Sequence, residues 1–315
     1  MRVRDGPDDV DPRLQENRFQ TGHMLAIYWE TVGRWVMMRA RRDAAVLRTP
    51  LFLLQSADSA SPPLTKDMAA KLLNHYNPYE TGHMHGMWAA HLGMRVRLLT
   101  PLDNQRGLVL EAEGVVIHVV VNPADQPRVD AAFAQDSPKD PLYLEHVPVG
   151  LWVRFDKYTG APFHRELLQA DESLTENVMQ SLVFVEPSRT LRPFTWRGHS
   201  VNRVGWALSH AGVRTSTACQ GKTLKGGVII DCARRETGPH PMDDPTWWLH
   251  LYVMLSRATT LDDLLLLRAP EPEFLLRGPP PDLQAALETF AQRVETCRQT
   301  AAALAHELGL QQFLR

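Results

Sequence analysis

The residues best suited to chemistry are concentrated in two short segments. Residues 214–224 read RTSTACQGKTL and residues 252–259 read YVMLSRAT. Thr215, Ser216 and Thr217 present three consecutive hydroxyls, which suit phosphate oxygens, although an ordinary serine- and threonine-rich turn has the same composition. Arg257 carries a planar, permanently charged guanidinium that either grips a phosphate in two places or neutralises the last carbonyls of a helix. A third group, His75, His83, His85 and His91, invites a metal reading. His83 and His85 share a face only on a strand, and no cysteine or well-placed carboxylate completes a ligand set, so no metal site is predicted.

The elements that must position these groups read as a βαβ unit. Two short, continuous apolar runs, 228–230 and 264–267, have the texture of strands buried on both faces. Between them Asp243 and Asp244 can cap a helix, Pro245 suits its first turn, and Trp248, Leu251, Tyr252 and Leu255 recur along one face. Strand, helix and strand predict a parallel pair, with Ser256 and Arg257 at the helix's C-terminal end beside the sheet.

The ordered series Thr215, Gln220, Gly221, Thr223, Leu224, then VIID, then Tyr252, Val253, Leu255, Ser256, Arg257, Ala258, Thr259 resembles motifs V and VI of superfamily 1B DNA helicases, the PIF-like and RecD-like group. The resemblance implies that Arg257 is an arginine finger reaching the γ-phosphate of ATP on a neighbouring RecA-like domain. It implies that Gln220 and Gly221 sense the nucleotide, and that Thr215, Ser216, Thr217 and the preceding Arg203 hold single-stranded DNA. The family commonly has a His-Lys pair where Thr217 and Ala218 stand, and losing that cation is expected to weaken the DNA contact. By the same resemblance the protein is intracellular and nuclear. The stretch from 75 to 121 is similar to the family as well, but Leu110 and Glu111 replace its usual Asn-Gly, so no tight turn with positive φ is expected there.

The chain has 315 residues, 44% of them apolar, and a formal charge of −2, enough for one large or two ordinary cores and without a global basic field. Any nucleic-acid contact must therefore come from local patches. Cys219, Cys232 and Cys297 have no paired spacing, so reduced thiols are expected; no leader is expected, and no apolar run approaches the ~20 residues that span a bilayer. In order, residues 1–18 are expected to be disordered, and 19–106 to form the first part of a RecA-like domain with a helix over 24–47 that keeps Arg34, Arg39, Arg41 and Arg42 off its apolar stripe. In that part 51–58 reads as a strand and turn, 65–74 as a helix and 93–100 as a strand. Residues 107–197 turn to short alternating strands (115–121, 151–155, 182–187), matching in place the family's SH3-like insertion, with 123–141 and 166–180 as surface loops or a helix. Residues 198–278 resume the RecA-like domain. In 279–315 Leu283, Leu287, Phe290, Val294, Cys297, Ala301, Leu304 and Leu308 alternate four and three apart in a long helix, stopped by Gly309 and expected to pack on its own domain rather than in a coiled coil.

The one Gly-Lys-Thr, 221–223, has Ser216 where a phosphate loop needs its first glycine, and it precedes a strand rather than a helix. Asp231 ends an apolar strand, but no Asp-Glu pair is present there to hold Mg²⁺. The expected fold is α/β: a RecA-like (P-loop NTPase-type) parallel sheet with an inserted small antiparallel β (SH3-like) subdomain and a long C-terminal helix. The expected function is the C-terminal portion of an ATP-dependent 5′–3′ DNA helicase, inactive alone. ATP and Mg²⁺ are its cofactors only together with a first, Walker A-bearing RecA-like domain; that domain and single-stranded DNA are its partners, and a membrane is not. The alternatives are a non-catalytic single-stranded nucleic-acid-binding or accessory module, and a metal-dependent hydrolase built on the histidines.

Overall fold

The computed structural model describes residues 11–135, 140–158, 160, 182–237 and 241–308. Of the segment expected to be disordered, 11–18 is ordered. Asp11 caps a 3₁₀ turn at Pro12–Gln15, Arg13 Nη1 donates to the Leu264 carbonyl at 3.3 Å, and α1 (Asn17–Thr21) buries Phe19. One aromatic anchor and one long-range hydrogen bond outweigh the polar composition.

Residues 24–26, expected to begin a helix, lie instead in β1 (His23–Ala26), which is buried from Met24 onward. The helix, α2, runs Trp29–Leu47; Val32, Val36, Ala40 and Ala44 line its packed face at i, i+4 spacing. Arg39 is buried on that face rather than solvated, because Asp43 at 3.0 Å and the Gly22 carbonyl at 3.2 Å receive its guanidinium. Strand β2 (Phe52–Gln55) follows as expected, but the expected turn is a strand, β3 (Ala57–Ser61). Helix α3 (Lys66–Leu73) is capped by Thr65, and β4 (Met87–Ala90) and β5 (Arg95–Leu98) follow.

Next come β6 (Glu113–Val120), α4 (Gln126–Phe133), β7 (Leu142–Tyr143), β8 (Gly150–Phe155) and β9 (Leu182–Val185). The 166–180 loop lies outside the described residues, as do Thr159 and Gly309. Strands β10 (Ser188–Arg189), β11 (Phe194–Trp196), β12 (His199–Gly205) and β13 (Leu208–His210) complete this half. The chain then returns through β14 (Val213–Thr215), β15 (Val228–Asp231), α5 (Asp244–Leu255), β16 (Leu264–Leu267), α6 (Pro272–Leu276) and α7 (Pro281–Glu307).

These strands divide into two halves of different construction. One is a parallel sheet in the order β14-β1-β15-β16, so β15 and β16 are parallel as the βαβ pattern predicts. At its foot the backbones of Gly22 and Gly227 cross so closely that a Cβ on Gly22 would lie 2.1 Å from the Gly227 carbonyl oxygen. The other half is β-rich and holds sheets ordered β13-β5-β6-β8-β9 and β4-β2-β7, plus a third in which β12 pairs with β10, β11 and β3. The expected insertion boundaries, 107 and 197, are therefore corrected: β2 to β5 and β12 to β13 belong with the strands between them, and the β-rich half runs from about residue 51 to 210. Its core includes Trp88, Trp206, Phe155 and Leu208. The class is mixed α/β, with one parallel sheet, separate antiparallel pairings and a long C-terminal helix.

Helix α5 starts as expected, with Asp243 accepting from Thr246 N at 2.8 Å. Its packed face is centred on Leu251 and Met254; Tyr252, expected on it, is exposed and stacks on Trp248 at 5.4 Å. The C-terminal helix α7 buries none of its residues, against the expectation that it packs on its own domain.

Candidate functional site

Strand β14 delivers Thr215 to the end of the parallel sheet where its strands finish, level with Ala26 and Asp231. There the three hydroxyls separate in role. Thr215 and Ser216 are buried: Thr215 Oγ1 lies 3.0 Å from Thr217 Oγ1 and accepts from Ala218 N at 3.3 Å, while Ser216 Oγ shares a 2.6 Å hydrogen bond with His250 Nδ1. Only Thr217 is exposed to a ligand. Cys219 then plugs the segment into the core beneath α5, and burial pushes its thiol up to about 11, so it is an inert anchor.

The chain next passes Gln220, which is exposed, and Gly221, whose φ of 74° in open space explains the glycine by backbone conformation alone. Lys222 holds its proton less firmly than a free lysine, through burial and then repulsion from Arg214. Leu224 and Ala258 form a parallel bridge ahead of β15 and β16, which puts Arg257 at the end of the sheet opposite to Thr217.

Arg257 is what joins the two segments. Its Nε donates to the Val253 carbonyl at 2.9 Å, closing the last turn of α5, and its Nη2 donates to Ser256 Oγ at 2.8 Å. Across the gap Nη1 donates to the Lys222 carbonyl at 2.9 Å, and the Arg257 carbonyl accepts from Leu224 N at 3.0 Å. Of the five guanidinium N–H bonds, two are left without a partner among the described residues, on a half-buried side chain.

The assignment of Arg203 to DNA is corrected. It lies in β12 of the other half, fully buried, with Nε and Nη2 bonded to the two Asp58 carboxylate oxygens at 2.7 and 2.8 Å. Nη1 reaches the Met84 carbonyl at 3.1 Å and Nη2 the Leu72 carbonyl at 3.4 Å. The guanidinium has no surface to offer a phosphate; it ties β3, α3 and β12 together.

A buried quartet escaped the sequence reading. Arg214 of β14 pairs with Glu111 and Glu113, and Arg97 of β5 pairs with Glu111, both arginines being fully buried. Glu111 adopts a φ of 65°, a strained setting for a side-chain-bearing residue, against the expectation of no positive-φ turn there. Two cations against two anions balance the charge, and the network clasps the parallel sheet to the β-rich half. The available signal was Arg214 itself, a charge directly ahead of the three hydroxyls.

The histidines do not converge. His83 rests edge-on against Tyr79, His91 Nδ1 bonds the Leu92 carbonyl at 2.8 Å, and His85 is enclosed, its affinity for a proton driven down to about 3 by burial and by Arg97 and Arg203. Among the described residues no three metal-ligating side chains meet. Asp231 is buried and held by Arg268 Nε at 2.9 Å and Ala233 N at 3.0 Å, so its carboxylate is taken up by protein donors, one of them a guanidinium. What the described residues present at Arg257 is a half-buried guanidinium at the rim of the sheet with two N–H bonds uncommitted. No helix among the described residues is long and apolar enough to cross a membrane.

Comparison with known proteins adds a likeness of fold. A Pif1 helicase from Candida albicans is 16% identical, with 81% of this chain and 49% of that one covered at a TM-score of 0.45. Bacteroides Pif1 bound to single-stranded DNA is 12% identical over 87% of this chain and 46% of that one, TM-score 0.48. A Pif1 structure described for unwinding of forked duplex DNA is 13% identical over 90% and 46%, TM-score 0.49. The chain spans about half the length of the solved structures it matches. At these identities and scores the likeness assigns no residue a role. No protein-family model and no curated protein matches the sequence.

Proposed function

We propose that this chain is the second half of an ATP-driven DNA-translocating motor of the helicase type, a member of a two-part site rather than a complete one. In this reading Arg257 stabilises the charge developing on a γ-phosphate bound by a separate Walker A-bearing domain, which also holds Mg²⁺. Gln220 and Gly221 lie on the segment that senses the nucleotide, and Thr217 offers the exposed hydroxyl to a DNA phosphate. The observation that carries the reading is the Arg257 link: its Nη1 and its carbonyl both grip the 222–224 backbone, so any pull on the guanidinium is transmitted along the segment that ends at Thr217. ATP binding at one end of the sheet is thereby coupled to DNA contact at the other.

The test is phosphate release with and without single-stranded DNA. The chain alone gives no turnover; mixed with a separately produced Walker A-bearing domain it gives DNA-stimulated turnover, which Arg257→Ala lowers by about a thousandfold. Turnover by the chain alone that disappears in Arg257→Ala would overturn the split site. A second reading, a non-catalytic single-strand-binding accessory module, is favoured by Arg257's own bonds to Val253 and Ser256, which are those of a helix cap. It is distinguished by DNA affinity that ignores nucleotide and survives Arg257→Ala.

A further inference from the structure

Helix α7 extends for 27 residues without burying one of them, and its apolar stripe faces solvent: Phe290 is 65% exposed and Leu308 61%. A helix of that length, about 40 Å, with apolar residues in strict four-three alternation, is the half-structure of a coiled coil. The stripe carries a further regularity, because its residue sizes are complementary about its midpoint. Folded back on a second copy in the antiparallel sense, Val294 meets Cys297 and Phe290 meets Ala301 at the centre. Leu287 meets Leu304, and Leu283 meets Leu308, at the ends. Each small residue faces a larger one, which is how layers of a core fill without voids or clashes.

The parallel alternative stacks every residue on itself. Ala301 on Ala301 and Cys297 on Cys297 would leave two adjacent thin layers, with a bulky Phe290 pair beyond the Val294 layer. It also sets Arg293 of one helix against Arg298 of the other, on both sides of the dimer. In the antiparallel arrangement Arg293 flanks Thr300 and Arg298 flanks Ala291, so no like charges meet. The exposed Cys297 falls inside the seam rather than on the surface.

We propose that α7 is a dimerisation element that pairs antiparallel with α7 of a second copy of this chain, holding two copies of the domain at opposite ends of a two-helix rod. Because α7 buries nothing in its own domain, substitutions on the stripe leave the fold intact, which circular dichroism checks.

Sedimentation equilibrium of the full chain tests it. The expected mass is twice the 35.6 kDa of one chain, and Val294→Asp reduces it to one. Ala301→Phe, which sets Phe against Phe290, weakens association by about tenfold or more, and the exchange Phe290→Ala with Ala301→Phe restores it. Arg293→Glu leaves the antiparallel pair unchanged. A monomer at about 50 µM would overturn the proposal, since a dissociation constant well above that represents less than about 6 kcal/mol of association. A dimer tightened by both Ala301→Phe and Arg293→Glu would overturn it in favour of parallel pairing.

Discussion

The two halves of the molecule use charge in opposite ways. In the parallel-sheet half, Arg257 sits at a rim with two N–H bonds uncommitted, and its neighbour segment exposes Thr217 and Gln220. In the β-rich half, Arg203 and Arg97 are fully enclosed, and the Arg203 guanidinium makes four hydrogen bonds to Asp58 and two carbonyls. Arginine type alone therefore says nothing of role; enclosure decides between a ligand contact and an internal strut. The Arg214 quartet stands between the two cases, buried like a strut yet joining the half that carries the rims to the half that does not.

Three substitutions or conditions test that contrast. The largest effect is expected for Arg203→Met, which strands Asp58 and two carbonyls: about 3–5 kcal/mol of unfolding free energy is lost in urea titration, while single-strand affinity per folded molecule is unchanged. Full stability with a tenfold loss of DNA affinity would instead make Arg203 a contact. Next, Glu111→Gln keeps the strained backbone but removes the charge shared by Arg97 and Arg214; about 1–3 kcal/mol is lost, and the unfolding transitions of the two halves separate. Coincident transitions at unchanged midpoint would remove the clasp from the account.

The smallest effect is a slope with pH. Burial drives His85 down to about 3 and His23 down to about 4, from an ordinary 6.5. Between those values the unfolded chain binds the extra protons, so stability is whole above the ordinary value and is withdrawn as pH falls, by about 1.4 kcal/mol per pH unit for each such histidine. Urea midpoints at neutral pH and in mild acid measure it. His85→Gln removes one histidine's share of the slope and His23→Gln the other; a slope unaltered by either places acid sensitivity elsewhere.

Much of the parallel half was legible because its signals are local. The VIID and LLLL runs, the Asp243 cap and Pro245 specify strand, helix and strand within a few residues of one another. The boundaries of the β-rich half were not, since β5 finds β13, and β3 finds β12, across more than a hundred residues with nothing nearby to announce the pairing. The same distance hid the fate of Arg203, whose partner Asp58 lies in β3. Glu111 defeated prediction for another reason: its positive φ accompanies ion pairs to two arginines contributed by other strands, whereas sequence signals for that conformation rest on glycine and asparagine. At the site itself, the union of the two motif segments was foreseeable, but which hydroxyl stays exposed was not, because His250 captures Ser216 from the middle of a helix.

The order in which this chain leaves the ribosome meets an obstacle set by its topology. Strand β1 emerges ahead of the whole β-rich half, yet both of its neighbours in the sheet, β14 and β15, come from beyond residue 212. Everything needed for the five-stranded sheet of the β-rich half, by contrast, has been synthesised by His210. The nascent chain thus completes its β-rich half before its parallel sheet, and Met24, Leu25 and Ala26 wait as an unpaired apolar strand until β14 and β15 have been made. During that interval the segment is a natural target for a holding chaperone.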